Sequence, residues 1–420
     1  MLELLFLLLP IAAAYGWYMG HRSAQQDKQK QSHQISRQYM AGLNLLLSDQ
    51  SDKAVDHFIE LLQVDNETID THLALGNLFR SRGEVDRAIR IHQNLISRSG
   101  LTLDQKNLAL QQLAKDYMVS GFLDRAEKIF EQLVEEPDYK EAALQQLVTI
   151  YQQTREWEKA IHYANQLAKM GNQRSRMRTN IAHFWCEIAM LDQADGNTNK
   201  AIQHFKKALS EDPKCVRASI SLGRIYLESE DYKQTIKYLT GVLEQDKDFV
   251  SDVLPTIAEC YHHLGQEDEL VEFLRTCIDK KAGVSAELML AQLVAHHESV
   301  GAAQELLTKQ LLKNPTMKGF YRLIDYHIAE AEDGRAKDSL STLQAMVGEQ
   351  LKVKPHYRCR KCGFSTHSLY WHCPSCKGWG TIKPIRGLMV NSFNAAGRVS
   401  VRCIFLTLCL TSKRTKIIRR

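Results

Sequence analysis

The chain is poor in proline, with 8 in 420 residues, so little interrupts long helices. Several signatures of catalysis are missing outright. There is no glycine-rich phosphate loop, no G-x-S-x-G nucleophile turn and no H-E-x-x-H zinc-hydrolase motif. Disulfide-type cysteine usage is also missing: six of the ten cysteines (Cys186, Cys215, Cys260, Cys277, Cys403 and Cys409) are scattered singly, four of them within helical pattern. Unpaired core thiols point to a reducing compartment. The formal charge of +5 does not mark a basic face, because the last 33 residues, Leu388 to Arg420, hold seven Lys/Arg and no acid. Without them the body carries 47 basic against 49 acidic residues. That excludes a nucleic-acid footprint on grounds of composition. The adjacent pairs His262-His263 and His296-His297 lie in helical pattern, where neighbouring side chains point about 100° apart and do not share a metal.

What the chain does have is concentrated near its end. Cys359-Arg-Lys-Cys362 and Cys373-Pro-Ser-Cys376 repeat a two-residue spacing across a ten-residue loop. Each pair curls the backbone so that two thiolates face one ion, and two pairs complete a tetrahedral shell. Gly363 and Gly378 follow the pairs and are expected to supply the conformational freedom of such knuckles. Four thiolates leave no position for water or substrate, which marks a structural site. Zinc is the expected metal, with iron as the alternative. His356, His367 and His372 lie nearby, but four sulfurs already satisfy the ion.

At the other end, Leu4 to Gly20 is an uncharged run of 17 residues, just long enough to span a hydrocarbon core. The only early charge is Glu3, whereas Arg22, Lys28 and Lys30 follow the run. A signal peptide requires the opposite polarity. The positive-inside rule therefore predicts a retained anchor with the body in the cytoplasm, and Tyr15, Trp17 and Tyr18 sit where an interfacial aromatic belt belongs.

Between these ends the pattern is helical and repeats. A small residue is followed by an aromatic three later, Gly four after that, Ala five further on and a large residue four beyond. Gly76, Phe79, Gly83, Ala88 and His92 fit this series, as do Ala114, Tyr117, Gly121, Ala126 and Phe130. Gly42 opens the series, and Val148, Ala189, Gly223, Ala258 and Ala291 continue it at intervals of 33 to 41 residues. Eight units result. The pattern resembles the tetratricopeptide repeat, which implies a right-handed solenoid of helical hairpins whose concave face, lined by the first helix of each pair, holds peptides or partner proteins. Offsets from the small residues nominate Asn77, Arg80, Lys115, Gln152 and Arg224 for partner binding. The spacing widens to 38 between the second and third units and to 41 between the fourth and fifth, predicting bends or longer loops. The second of these insertions carries Arg174, Arg176 and Arg178.

The expected layout is an all-α chain with a small metal domain: an anchor over 1–20, a linker over 21–34, the repeat array over 35–350, a rubredoxin-like domain over 355–387 and a disordered basic tail over 388–420. Taken in this order, residues 1 to about 387 resemble the lipopolysaccharide assembly protein B family of Gram-negative bacteria. The resemblance rests on the opening Met1-Leu-Glu-Leu-Leu-Phe-Leu-Leu-Leu-Pro10, the repeats, Cys359-Arg-Lys-Cys362-Gly363-Phe364, Trp371-His-Cys373-Pro-Ser-Cys376 and Thr381-Ile-Lys-Pro-Ile-Arg386-Gly387. It implies a non-enzymatic inner-membrane adaptor that works with a membrane-bound ATP-dependent metalloprotease to promote degradation of the lipid A deacetylase, alongside other lipopolysaccharide assembly proteins. The family pattern ends shortly after Gly387, so the basic tail departs from it. Two other classes stay open: a membrane-tethered scaffold for envelope assembly, with or without self-association of the chain, and a rubredoxin-like iron electron-transfer protein.

Overall fold

A computed structural model describes residues 69–385 except 99 and 172–173, together with a helical stretch over 15–19 and scattered helical positions between 40 and 57. The expected anchor lies outside the described residues apart from Tyr15–Met19, whose large side chains are exposed. No helix among the described residues is long and apolar enough to cross a membrane. The linker, most of the first repeat and the basic tail also fall outside them.

From Ile69 to Val353 the described chain is almost all helix, and the molecule divides into two compact units, with the boundary in the chain between Leu191 and Asp192. The first contains α1 (Ile69–Ser81), α2 (Val85–Ile96), α3 (Leu103–Ser120), α4 (Leu123–Val134), α5 (Pro137–Thr154), α6 (Trp157–Lys169) and most of α7 (Arg174–Ala194). The second continues through α8 (Thr198–Glu211), α9 (Val216–Glu228), α10 (Tyr232–Thr240), the short α11 (Val242–Gln245), a 3₁₀ turn (Lys247–Phe249), α12 (Val250–Leu264), α13 (Glu267–Asp279), α14 (Val284–His297), α15 (Val300–Lys313), α16 (Met317–Glu330) and α17 (Arg335–Val353). Within each unit successive helices pair as hairpins, and first helices also meet across hairpins, as α1 meets α3 and α14 meets α16.

The repeat pattern has a direct physical reading. Ala88, Ala114, Ala126, Ala160, Ala189, Ala201, Ala291 and Ala303 are all fully buried, because a larger residue there would push paired helices apart. At Gly223 a Cβ would come within 2.5 Å of Leu239. Seven successive hairpin turns are each closed by one bond across six residues, from Glu84 N–H to the Phe79 carbonyl, Phe122 to Tyr117, Glu156 to Tyr151, Asn197 to Asp192, Asp231 to Tyr226, Gln266 to Tyr261 and Ser299 to Val294. This is the Schellman closure; in the first six of these turns the residue before the donor lies in the left-handed region, whereas Glu298 in the last has φ of −114°. Gly121 supplies the left-handed residue with φ of 84°, whereas Arg155 in the next hairpin adopts φ of 61° with a side chain attached.

Two features differ from expectation. The 41-residue interval is taken up mainly by a longer helix, α7 having 21 residues against 18 in α5, and in part by a longer connection over 170–173, and Arg174, Arg176 and Arg178 lie exposed in the opening turns of α7. Beyond the last unit in the sequence series stands a further hairpin, α16 with α17. Its turn lacks the six-residue bond, closing instead from Ala331 N–H to the Ile328 carbonyl, and α17 has no fully buried residue. The motif is absent there because the packing that demands it is absent.

Candidate metal centre

After α17 the chain changes character. Strands β1 (Tyr357–Cys359), β2 (Ser365–Thr366) and β3 (Ile382–Pro384) form an antiparallel sheet in the order β2-β1-β3. Its central cluster is Cys359, Cys373 and Ile382, flanked by partly buried Tyr357, Phe364, Leu369 and Cys376, and Trp379 and Pro384 are the other buried residues of the ribbon. A core this small does not hold a domain without a covalent or metal staple.

Two tight turns converge on that core. In the first, Gly363 N–H donates to the Cys359 carbonyl at 3.0 Å, and Cys359 N–H donates to the Phe364 carbonyl at 2.7 Å. In the second, Lys377 N–H donates to the Cys373 carbonyl and Cys373 N–H to the Gly378 carbonyl, both at 2.9 Å. Gly363 takes φ of 81° as expected, but in the second turn the left-handed residue is Lys377, at 54°. Gly378 is needed for space instead: a Cβ there would lie 2.9 Å from Thr381 Cγ2 and 3.5 Å from Cys376 Sγ.

The turns bring the four sulfurs together, all within 4.8 Å of one another. Cys359 Sγ lies 3.7 Å from Cys376 Sγ, and Cys362 Sγ lies 3.7 Å from Cys373 Sγ. A tetrahedron with metal–sulfur bonds of about 2.3 Å has edges of about 3.8 Å, so the donor set fits a single ion held by all four cysteines. When bound, such an ion supplies charge compensation for four thiolates and a covalent tie between the turns. The protein prepares the sulfurs unequally. Burial raises the Cys359 thiol pKa, but the Thr381 hydroxyl, 3.4 Å from its sulfur, and the backbone amides of Cys362 and Lys361 outweigh it and bring it to about 6. The Phe364 amide likewise lowers Cys362. Burial pushes Cys373 up to about 11, and an ion's positive charge provides what that environment withholds. None of the nearby histidines competes. His372 stacks on Trp379 at 4.5 Å with its Nε2 3.1 Å from the Lys377 carbonyl, and His356 faces His367.

The ribbon docks on the 3₁₀ turn and the start of α12. Trp371 stacks on Phe249 with ring centres 5.3 Å apart. Around this contact Lys383 pairs with Asp246 at 2.5 Å, Arg360 with Asp248 at 3.3 Å, and the Tyr357 hydroxyl donates to Asp252 at 3.1 Å. Burial raises the Asp252 carboxyl pKa, an effect that the Tyr357 hydrogen bond opposes. Burial and then Asp252 push the Tyr357 phenol up to about 12. These acids and Phe249 carry no motif. The only hint in the sequence is Asp at 246, 248 and 252 beside a basic ribbon.

The positions nominated for partner binding separate into different environments. Arg80 pairs with the fully buried Asp116 at 2.9 Å and also donates to Asn77 and Gln112. Asp116 in turn meets His92 Nδ1 at 2.5 Å, and His92 Nε2 faces Gly76 with no hydrogen-bond partner. Asn77 and Arg80 thus belong to a polar network that ties α1, α2 and α3 together. Lys115 is half-buried and its pKa is lowered by that burial and by Arg80. Gln152 is half-buried, and Arg224 is exposed near enough to Tyr357 to favour its ionised form.

A family profile described as Rubredoxin metal binding domain matches residues 357–384, and profiles described as Tetratricopeptide repeat match 71–104 and 193–259. Lipopolysaccharide assembly protein B of Escherichia coli (strain K12) is 52% identical over 388 residues, covering 92% of this chain and 99% of that protein. Its namesake from Haemophilus influenzae is 47% identical over 394 residues, covering 92% and 98%. Among solved structures, the crystal structure of MamA protein aligns with 44% of this chain and 96% of that chain, at 22% identity and a TM-score of 0.31.

Proposed function

Because the chain belongs to the lipopolysaccharide assembly protein B family, we propose that it is a non-catalytic adaptor of lipopolysaccharide synthesis at the inner membrane. In this reading residues 1–20 form a single-pass anchor, the body faces the cytoplasm, and the ribbon holds zinc. The adaptor presents the lipid A deacetylase to a membrane-bound ATP-dependent metalloprotease and so promotes its proteolysis, in company with other lipopolysaccharide assembly proteins. The observation that carries this reading is the 52% identity to a protein of that name across 99% of its length. The site chemistry supports it: a shell of four thiolates has no open position for a substrate, and helical hairpins offer surfaces for protein partners. Tethering raises effective concentration in the membrane plane without new contacts.

The test is the half-life of the lipid A deacetylase in cells carrying the full-length chain, a form lacking residues 1–20, a Cys376→Ser form, or none. Rapid turnover is expected only with the full-length chain. Equal half-lives in all four strains would end the adaptor reading. Metal analysis of the purified chain decides zinc against iron, and the iron form would be coloured.

A further inference from the structure

Between α14 and α16, first helices of successive hairpins, lies a cleft of about 290 Å³ closed by the end of α17. Its apolar lining is Leu288 and Met289 from α14, Tyr321 from α16 and Leu351 from α17, all half-buried. Tyr321 reaches this position because α17 passes with Gly348, where a Cβ would stand 3.3 Å from the Tyr321 ring. Two cations, Lys318 and Arg322, line the same cleft, and no acid does. The Arg322 guanidinium is steadied from behind by Asp325 at 2.7 Å, which also accepts from Gln344. Lys318 is exposed, and its charge also reaches Asp252, which is already engaged by Tyr357.

We infer that this cleft is a docking site for a segment of a partner protein that presents one or two apolar side chains beside a carboxylate. The inference rests on the adaptor reading and names the chemistry of one surface it uses. Charge complementarity selects the occupant: half-buried apolar groups flanked by two cations favour an apolar residue next to Asp or Glu. Size narrows it further, since pockets for drug-sized molecules start near 300 Å³, and a cleft at that lower limit seats side chains rather than a many-chained lipid. The basic segment after Leu388, with seven Lys/Arg and no acid, has the wrong charge to fill the cleft in cis.

The test pans a phage-displayed library of random nonapeptides on the full-length chain and measures the enriched peptides by fluorescence anisotropy against the wild type, Lys318→Glu and Leu351→Asp. Both positions lie at the surface or half-exposed, and circular dichroism checks that each variant keeps its helices. Enriched peptides should pair an apolar residue with Asp or Glu, and their Kd should rise at least tenfold in each variant and with added salt. Failure to enrich, or peptides that bind both variants as they bind the wild type, would overturn the assignment. So would a cleft that binds cis-parinaric acid in a Lys318-dependent way but no peptide. The deacetylase half-life separates the two readings. If peptides fail while turnover still depends on the chain, only the cleft is wrong. If peptides bind as expected while turnover ignores the chain, only the adaptor reading is.

Discussion

In the helical hairpins cohesion is spread over dozens of buried side chains, from Phe79 and Phe130 to Leu254 and Leu307, and no single one of them closes the structure. In the ribbon three fully buried residues form the central cluster, and two of these are metal ligands. The same chain therefore carries one region where loss of a side chain is a local cost and one where it removes the organising element. Burying many apolar groups suits a surface built by repetition. A 28-residue ribbon has too little apolar area for that and concentrates its free energy in one ion.

The sharpest way to break the contrast is Cys373→Ser. Structural zinc sites of this type carry roughly 10 kcal/mol or more of binding free energy that doubles as folding energy, so the variant should lose its metal and its ribbon fold while helical circular dichroism persists. Metal analysis and the fluorescence of Trp371 and Trp379 report the two losses. Retention of stoichiometric metal by this variant would contradict the four-thiolate assignment.

Phe130→Ala probes the other regime. The ring is fully buried, and truncating such a residue costs about 3–5 kcal/mol. The urea midpoint should fall with metal content unchanged. A similar loss, about 3–5 kcal/mol for breaking a buried ion pair, is expected for Arg80→Met, which takes from Asp116 its charged partner. Metal loss in either variant would show that the two regions are one cooperative unit.

Trp371→Ala tests the seam between ribbon and α12. Aromatic pairs add about 0.5–1.5 kcal/mol beyond their burial, and the rim ion pairs about 0–1 kcal/mol each. The ribbon should keep its metal yet become more susceptible to protease near residue 355. The smallest effect expected is a gain: Arg155→Gly relieves a left-handed residue and should stabilise the first unit by about 0.5–1 kcal/mol, read as a higher melting temperature. The Glu230→Gly variant, at φ of 59°, should do the same for the second unit.

Much of this is legible in the sequence. Ala and Gly at near-constant intervals announce close helix approaches, because only a missing side chain allows them, and the turn bonds from Phe79 to Val294 recur at the same intervals. The two C-x-x-C pairs announce their ion for a similar local reason: each spacing is decided within one turn. The hairpin of α16 and α17 was not legible as a repeat, since its turn and its exposed second helix make none of the demands that leave a motif. Arg80 read as a surface position because helical offset tells which face a residue is on but not what the next hairpin brings against it.

Sequence alone determined the helical character of the chain between residues 69 and about 350, the existence of the four-sulfur site and the family, because these depend on contacts within a few residues or on a repeated pattern. The tertiary structure decided what lies distant along the chain: that Asp116 meets Arg80 and His92, that Phe249 and three aspartates receive the ribbon, and that Leu351 closes a cleft begun at Leu288. Such pairings span roughly 24 to 137 residues and follow no period. Their partners are selected by burial and charge only once the hairpins have stacked.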